Sequence, residues 1–388
     1  MIDFFYISLL SMFSWVYLIF FHGRKNILED NFFWTSNIIF ENEVSESNNT
    51  KIEDNICVII PARNEENYIL STLKSIGDQN INNLSIIVVD DRSTDKTNLL
   101  VSEFRRKNKN VSILTGKKLP KGWVGKVWAL KQGVDEAKKK KIDYYIFIDA
   151  DIELRKKTIS NVINFLKVRD LAMVSLMAKL NCKSFWEKTL IPPFIFFFQK
   201  IYPFNLANNP KSKLAAAAGG FITCKAVLFR NENIYEKIKN KVIDDCNIAK
   251  IIKEKGGIWI GLTGLVTSNR GYTKLTSIWK MVSRTAFEQL SYSKTLVLIS
   301  ILGMFVLYLS PLIGIVTAII MNLTNLLLLN LLIFISILLI FFPTFKFYNL
   351  GIIYIFFVPF SSFLYMLMTI SSAYSHYKSG NIWKGRSY

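Results

Sequence analysis

The sequence predicts an α/β domain built on a mainly parallel sheet, with transmembrane α-helices at both ends of the chain. Three observations lead there. Through the middle of the chain, short apolar runs alternate with amphipathic, Lys-rich segments, the pattern of parallel strands joined by helices. Long uncharged stretches stand near both termini, as a bilayer demands. A composition that is 51% apolar and 20% charged over 388 residues is too hydrophobic for a disordered chain and uncommon in a wholly soluble one.

The elements follow in order. Residues 4–21 are uncharged and largely apolar, and Gly23-Arg24-Lys25 follows them. A signal peptide carries its cations before the apolar run, so 1–22 reads as an uncleaved anchor. Residues 23–50 end in the polar stretch ENEVSESNNT and read as a linker. The block 51–290 offers strands at Ile56–Ile60, Ser85–Val89, Val111–Leu114, Tyr144–Ile148 and Ala172–Lys179. Helices are expected near 65–77, 95–108, 126–140 and 156–168. No charge stands between Lys294 and Lys346, and a second uncharged run covers 347–375. Within 291–375 this predicts three spans, the first two hinged near Asn322–Asn325, before a basic tail, 376–388.

The block 51–290 carries 41 Lys and Arg against 23 Asp and Glu, nearly all of the chain's net +19. Arg24 and Lys25 after the first span, with Lys280 and Arg284 before the next, place it on the cytoplasmic side. Three spans would then export the cationic tail against the same rule, so one stretch is re-entrant or the tail is outside. The two histidines, His22 and His376, lie at opposite ends, which disfavours a His-based metal cage or a Ser-His-Asp triad. Cys57, Cys182, Cys224 and Cys246 form no C-x-x-C, which argues against zinc ribbons and a disulfide framework. No Rossmann or P-loop glycine pattern stands in the right context.

Ligands of parallel sheets gather beyond the carboxyl ends of the strands, and polar clusters follow the apolar runs there. CVII leads to Pro61-Ala62-Arg63-Asn64-Glu65-Glu66, IIVV to Asp90-Asp91-Arg92-Ser93-Thr94-Asp95, and YYIFI to Asp149-Ala150-Asp151. Two carboxylates two residues apart at a strand end can hold a divalent cation and leave room for a diphosphate; a solvated turn is the plainer alternative. Ser93 or Thr94 could simply cap the next helix. The basic segment Gly116–Gly133 could neutralise phosphates, Lys126 among its cations, or face anionic lipid. Asp244-Asp245 could complement the dipole of a helix over 244–255.

Taken together, P-A-R-N-E-E, D-D-x-S-x-D, G-K-x-x-A-L-x-x-G from Gly125 to Gly133, D-x-D and the later acidic pair resemble glycosyltransferase family 2, the inverting nucleotide-sugar enzymes of the GT-A fold. The resemblance covers roughly 51–290. The segments L-P-x-G-W-x-G-K-x-W-A-L, 192–204, 284–293 and the terminal W-K-G-R-x-Y look most like the hopene-associated, membrane-bound subgroup akin to ceramide glucosyltransferases. It implies a nucleotide pocket at Pro61, Arg63, Glu65 and Asp91, with Lys126 and Asp149 also on the donor. It further implies Asp151 as ligand of Mg²⁺ or Mn²⁺ with Asp149 beside it, Gly219 and Gly220 beside the acceptor, and Asp245 as catalytic base next to Asp244. Arg284 stands in a Q/R-x-x-R-W element whose outer residues are here Met281 and Thr285, which weakens a reading as a processive polysaccharide synthase.

The segments 184–204, interrupted by Pro192, Pro193 and Pro203, and 273–293 read as interfacial, with core packing as the alternative. The function implied is transfer of a sugar from a nucleotide-sugar, UDP-linked, to a membrane lipid: a hopanoid, ceramide-like lipid or other polyprenoid. A polyprenyl-phosphate acceptor and a catalytically silent donor-binding subunit are the competing readings. The partners are then donor, lipid and membrane, with no nucleic acid, in an integral protein of a bacterial inner membrane.

Overall fold

Runs rich in Val and Ile lose little by extending and gain by burial on both faces, so they form the centre of a parallel sheet. The computed structural model describes residues 2–26, 29–35, 39–43, 52–230, 232–379, 382–383 and 386–387. In chain order its main elements begin with α1 (Ile2–Phe20), β1 (Ile56–Ala62), α2 (Ile69–Gly77), β2 (Leu84–Asp90), α3 (Thr97–Lys107), β3 (Val111–Thr115) and α4 (Gly125–Ala137). Next come β4 (Tyr144–Ile148), β5 (Ile152–Leu154), α5 (Thr158–Val168), β6 (Leu171–Lys179), α6 (Phe185–Ile201), β7 (Phe221–Lys225), α7 (Asp244–Lys253) and β8 (Gly257–Ser268). Helix α8 (Leu275–Ser283) precedes three long helices, α9 (Lys294–Ile320), α10 (Thr324–Phe347) and α11 (Ile352–Lys378).

The chain divides into two units, one of 38–181 with 206–271 and one of 1–37, 182–205 and 272–387. The first holds a sheet of order β3-β2-β1-β4-β7-β6-β8-β5. Strands β1, β2, β3 and β4 run parallel, as the strand–helix alternation predicts, whereas β7 and β5 run antiparallel to their neighbours. In register, Ala62 faces Asp90 and Ile59 faces Phe147, so the polar clusters after β1, β2 and β4 emerge at one edge. Helix α4 buries Val127, Leu130 and Val134 in one cluster with Ile59, Val89 and Phe147. Its approach is close: a Cβ on Gly133 would lie 2.4 Å from the Ile59 side chain, so the last glycine of G-K-x-x-A-L-x-x-G is required by packing.

The polar end of the proposed linker, from residue 44 to 51, lies outside the described residues, as do Lys384 and Gly385 of the tail. Residues 27, 28 and 36–38 also lie outside them, but two described aromatic residues of the linker are buried. Ile39 bridges to Leu262 of β8, and Phe40 is fully buried with its ring 5.2 Å from Phe165 and 5.6 Å from Trp259. Phe33 is buried against Phe196 in the other unit. Large aromatic side chains anchor 33 and 40 where polarity elsewhere in 23–50 suggested a tether.

In the second unit, α9, α10 and α11 are long and apolar enough to cross a membrane. The α9–α10 turn at Met321–Leu323 falls beside the expected hinge. The expectation of such helices at both ends is corrected: the N-terminal apolar stretch Phe4–Phe20 is shorter. It packs along the others, with Ser8 Oγ donating to Asn330 Oδ1 at 3.1 Å.

Two of the prolines leave carbonyls that find another donor. Pro193 cannot donate to the Thr189 carbonyl, which accepts Ser361 Oγ at 2.9 Å. Pro311 cannot donate to Leu307, whose carbonyl accepts Trp15 Nε1 at 2.9 Å, beside a π turn at Phe305–Leu309. Helix α6 is therefore continuous through Pro192-Pro193 and starts from a capping box between Ser184 and Glu187. Its Leu190 is fully buried with Ile278, Val282 and Met368. Segments 184–204 and 273–293 thus cluster with the long apolar helices, not with the sheet.

Phe40→Ala should lower unfolding stability by about 3 kcal/mol or more, the usual cost of emptying a buried aromatic site. A denaturant or thermal titration in detergent checks this; a true linker residue would change stability by under about 0.5 kcal/mol.

Candidate active site

The first polar cluster forms where β1 and β2 end. Pro61 lies opposite Val89 of β2, beyond the last residues that β1 pairs with β4, so its missing N–H leaves the β4 ladder intact. The buried Asp91 donates its amide to the Ala62 carbonyl at 2.8 Å, and its own carbonyl accepts Arg63 Nη1 at 2.6 Å. Arg63 Nη1 also reaches the Arg92 carbonyl at 3.2 Å. Ser93 and Asn98 satisfy the side chain of Asp90, so the first carboxylate of the pair shapes the turn. Glu65 donates its backbone amide to Thr97 Oγ1 at 2.8 Å. This ties the two turns into one wall holding Pro61, Arg63, Glu65 and Asp91.

The second cluster centres on Lys126 in the first turn of α4. Its Nζ lies 2.8 Å from Asp149 Oδ1, just past β4, and 3.8 Å from Asp244 Oδ2 at the start of α7. Burial works against the ammonium, but the charges of Asp149, Asp244 and Asp245 outweigh it and hold Lys126 above the ordinary lysine range. Lys126 is thus engaged by carboxylates, where the sequence suggested a cation for phosphates. Asp245 accepts the Gly219 amide on Oδ2 and the Cys246 amide on Oδ1, both at 2.8 Å. Burial and the neighbouring Asp244 charge push the Asp245 carboxyl up to about 6, against the pull of Lys126 and the two amides.

A Cβ on Gly219 would lie 3.0 Å from Lys126 Nζ and 3.2 Å from Asp245 Oδ2. One on Gly220 would instead meet Ala178 and Ile152, so the two glycines serve different neighbours. The bond from Cys246 shows that Asp245 also complements the N-terminal turn of α7, alongside its place in the cluster.

The third cluster surrounds Asp151. Its Oδ2 accepts Ser268 Oγ at 2.8 Å and Arg270 Nε at 3.1 Å. Arg270 Nη2 continues to Glu65 Oε2 at 2.6 Å, and its guanidinium lies 4.9 Å over the Tyr68 ring. Sequence reasoning missed Ser268 and Arg270. They follow the rule that found the other clusters, since Asn269-Arg270-Gly271 directly succeeds β8, but glycines at 257, 261 and 264 obscured that strand. Arg284, at the C-terminal end of α8, belongs to the unit of the long helices.

Among the described residues no group of three His, Cys, Asp or Glu side chains forms a ready metal cage. Asp149 and Asp151 still fit a hard cation, because Mg²⁺ and its like are commonly held by one or two carboxylates completed by substrate phosphates and water.

A mostly parallel sheet with acidic and basic side chains gathered beyond its strand ends defines a GT-A-like α/β domain. Residues 57–231 match the family described as Glycosyl transferase family 2. It is 39% identical over 102 residues to a 4,4'-diaponeurosporenoate glycosyltransferase of Staphylococcus haemolyticus, covering 26% of this chain and 25% of that one. It is 34% identical over 112 residues to the poly(ribitol-phosphate) beta-N-acetylglucosaminyltransferase TarS of Staphylococcus aureus, covering 28% and 18%. The chain thus spans a quarter or less of the length of these two curated relatives. Among solved structures, the mannosyltransferase PcManGT of Pyrobaculum calidifontis, in complex with GDP-Man and Mn²⁺, is similar over 96% of both chains at 14% identity and TM-score 0.47.

Gly219→Ala places a methyl group between Lys126 and Asp245. Turnover should fall while secondary structure, followed by circular dichroism, is retained. Wild-type turnover in a folded Gly219→Ala protein would show that the spacing of this cluster carries no function.

Proposed function

We propose that this chain is a membrane-bound, inverting glycosyltransferase that moves a sugar from a UDP-linked donor to a hydroxyl of a membrane lipid. The observation that carries the reading is Asp245, a half-buried carboxylate pushed up to about 6, seated at the strand-end edge beside Lys126, Asp149 and the small-residue run Ala215–Gly220. A general base works best with a pKa near the operating pH, and this one is ionised at neutral pH yet basic enough to take a proton. The acceptor oxygen attacks the anomeric carbon as the bond to the diphosphate breaks, and the hydroxyl proton passes to Asp245. Lys126 keeps the neighbouring carboxylates ionised and in place.

On the donor side, Pro61, Arg63, Glu65 and Asp91 form the nucleotide wall, with Asp91 as the carboxylate that recognises the base. Asp151, with Asp149, would hold Mg²⁺ or Mn²⁺; when bound, such an ion supplies positive charge to the departing diphosphate. Gly219 and Gly220 border the acceptor, and Arg284 is a further candidate from the motif. Helices α9, α10 and α11 support a lipid acceptor, since they would keep the enzyme in the bilayer where that acceptor resides, with segments 184–204 and 273–293 at its boundary. The cationic residues Arg24, Lys25, Lys280 and Arg284 support a cytoplasmic active site. A hopanoid, ceramide-like lipid or other polyprenoid is the acceptor class, testable by profiling the lipids of a deletion strain for one missing glycolipid.

Asp245→Asn should lower transfer by about 10²–10⁴-fold, the usual contribution of a general base, with donor binding retained; Asp244→Asn should be milder. Activity of the wild type should fall as pH drops through about 6, where Asp245 takes up its proton, and the residual activity of Asp245→Asn should lack that limb. The folded pKa lies above the unfolded one, so ionised Asp245 opposes folding above pH 6, and Asp245→Asn should not lower stability at pH 7. Transfer by Asp245→Asn within about threefold of wild type, far inside that rate range, places the base elsewhere. Excess EDTA should abolish transfer and added Mn²⁺ or Mg²⁺ restore it; full activity in EDTA refutes the metal assignment.

A further inference from the structure

Asp151 is not an open carboxylate. Its Oδ2 accepts Ser268 Oγ and Arg270 Nε, and the same guanidinium reaches Glu65 Oε2 at 2.6 Å. Arg270 also lies over Tyr68, 4.9 Å from the ring centroid, within reach of a cation–π contact. The guanidinium therefore joins Asp151 to Glu65, one proposed to hold metal and the other to line the nucleotide wall. Charge-assisted bonds of this kind are strong, and a divalent cation on the Asp151 carboxylate would face a second positive charge across that one group. The two cations compete for one carboxylate.

We propose that Arg270 is the resident counter-ion of Asp151 and Glu65, and that a divalent cation binds well only when a nucleotide diphosphate offers the guanidinium another anion. The inference rests on the glycosyltransferase reading of this site and deepens it: Arg270 is a positioning residue that couples metal binding to donor binding. In the free protein the guanidinium neutralises the two carboxylates. With donor present, the diphosphate brings the negative charge that lets Arg270 and the metal ion share the site.

The test is Mn²⁺ binding to the full-length protein in detergent, followed by electron paramagnetic resonance titration without nucleotide and with saturating UDP. For the wild type, UDP should tighten Mn²⁺ binding at least tenfold. Arg270→Gln should bind Mn²⁺ alone at least tenfold more tightly than wild type, and UDP should then add little. Arg270→Met, which keeps the apolar stem over Tyr68 without the charge, should behave like Arg270→Gln and covers the case in which the glutamine variant does not fold. Arg270→Lys keeps a charge but not the fork that reaches both carboxylates, and should fall between. The inference is overturned if wild-type Mn²⁺ affinity ignores UDP, or if either neutral variant binds Mn²⁺ alone within threefold of wild type. A wild type that binds no UDP under any condition overturns the glycosyltransferase reading itself, whereas variants that bind both ligands like wild type overturn only the role of Arg270.

Discussion

Three carboxylates from distant parts of the sequence, Asp149, Asp244 and Asp245, act on the single Nζ of Lys126. Like charges gathered in a poorly solvated place repel, and each would protonate or move apart unless a cation stood among them. Much else follows from that neutralisation. Helix α4 must bring Lys126 to the end of β4, which fixes how closely it lies on the sheet and requires Gly133 beneath it. The loop before β7 must pass without a side chain at Gly219, so that its amide can reach Asp245. The balance left over, a carboxylate ionised near neutrality but raised, is the chemical property on which the proposed reaction turns.

Around Asp151 the same logic uses a different cation. Arg270 offers a planar fork where Lys126 offers a point charge, so it bridges two carboxylates while lying over the Tyr68 ring. The two basic residues divide the edge of the sheet into one cluster around Lys126 and another around Arg270. Asp149 and Asp151, only two residues apart, fall in different clusters. The D-x-D pattern thus works as a junction, each carboxylate compensated by its own cation.

The helical unit meets a different constraint. Away from water an unpaired carbonyl is costly, and Pro193 in α6 and Pro311 in α9 each free one. Ser361 and Trp15 satisfy them, which binds α6 to α11 and α1 to α9 through contacts that single-helix reasoning does not foresee. The reading of 184–204 as a broken segment assumed that a proline pair ends a helix, as it does where nothing replaces the lost bond. Here neighbouring helices replace it.

Strand positions β1 to β4 and β6, the long apolar helices and the acidic clusters after β1, β2 and β4 were legible in the sequence, because each depends on local period, length and the chemistry of adjacent residues. Strand β5 was too short to stand out, β7 was missed although as long as β3 and β4, and β8 was masked by its glycines. Phe33 and Phe40 were read as part of a linker, since a polar neighbourhood does not reveal which aromatic side chain finds a pocket. Residue order could place Asp149 and Asp151 together at a strand end, but could not say that one would pair with Lys126 and the other with Arg270. Local sequence sets the strands and the residue types at their ends; which charges meet depends on segments separated along the chain, and Coulombic pairing acts through space, so only the tertiary structure decides it.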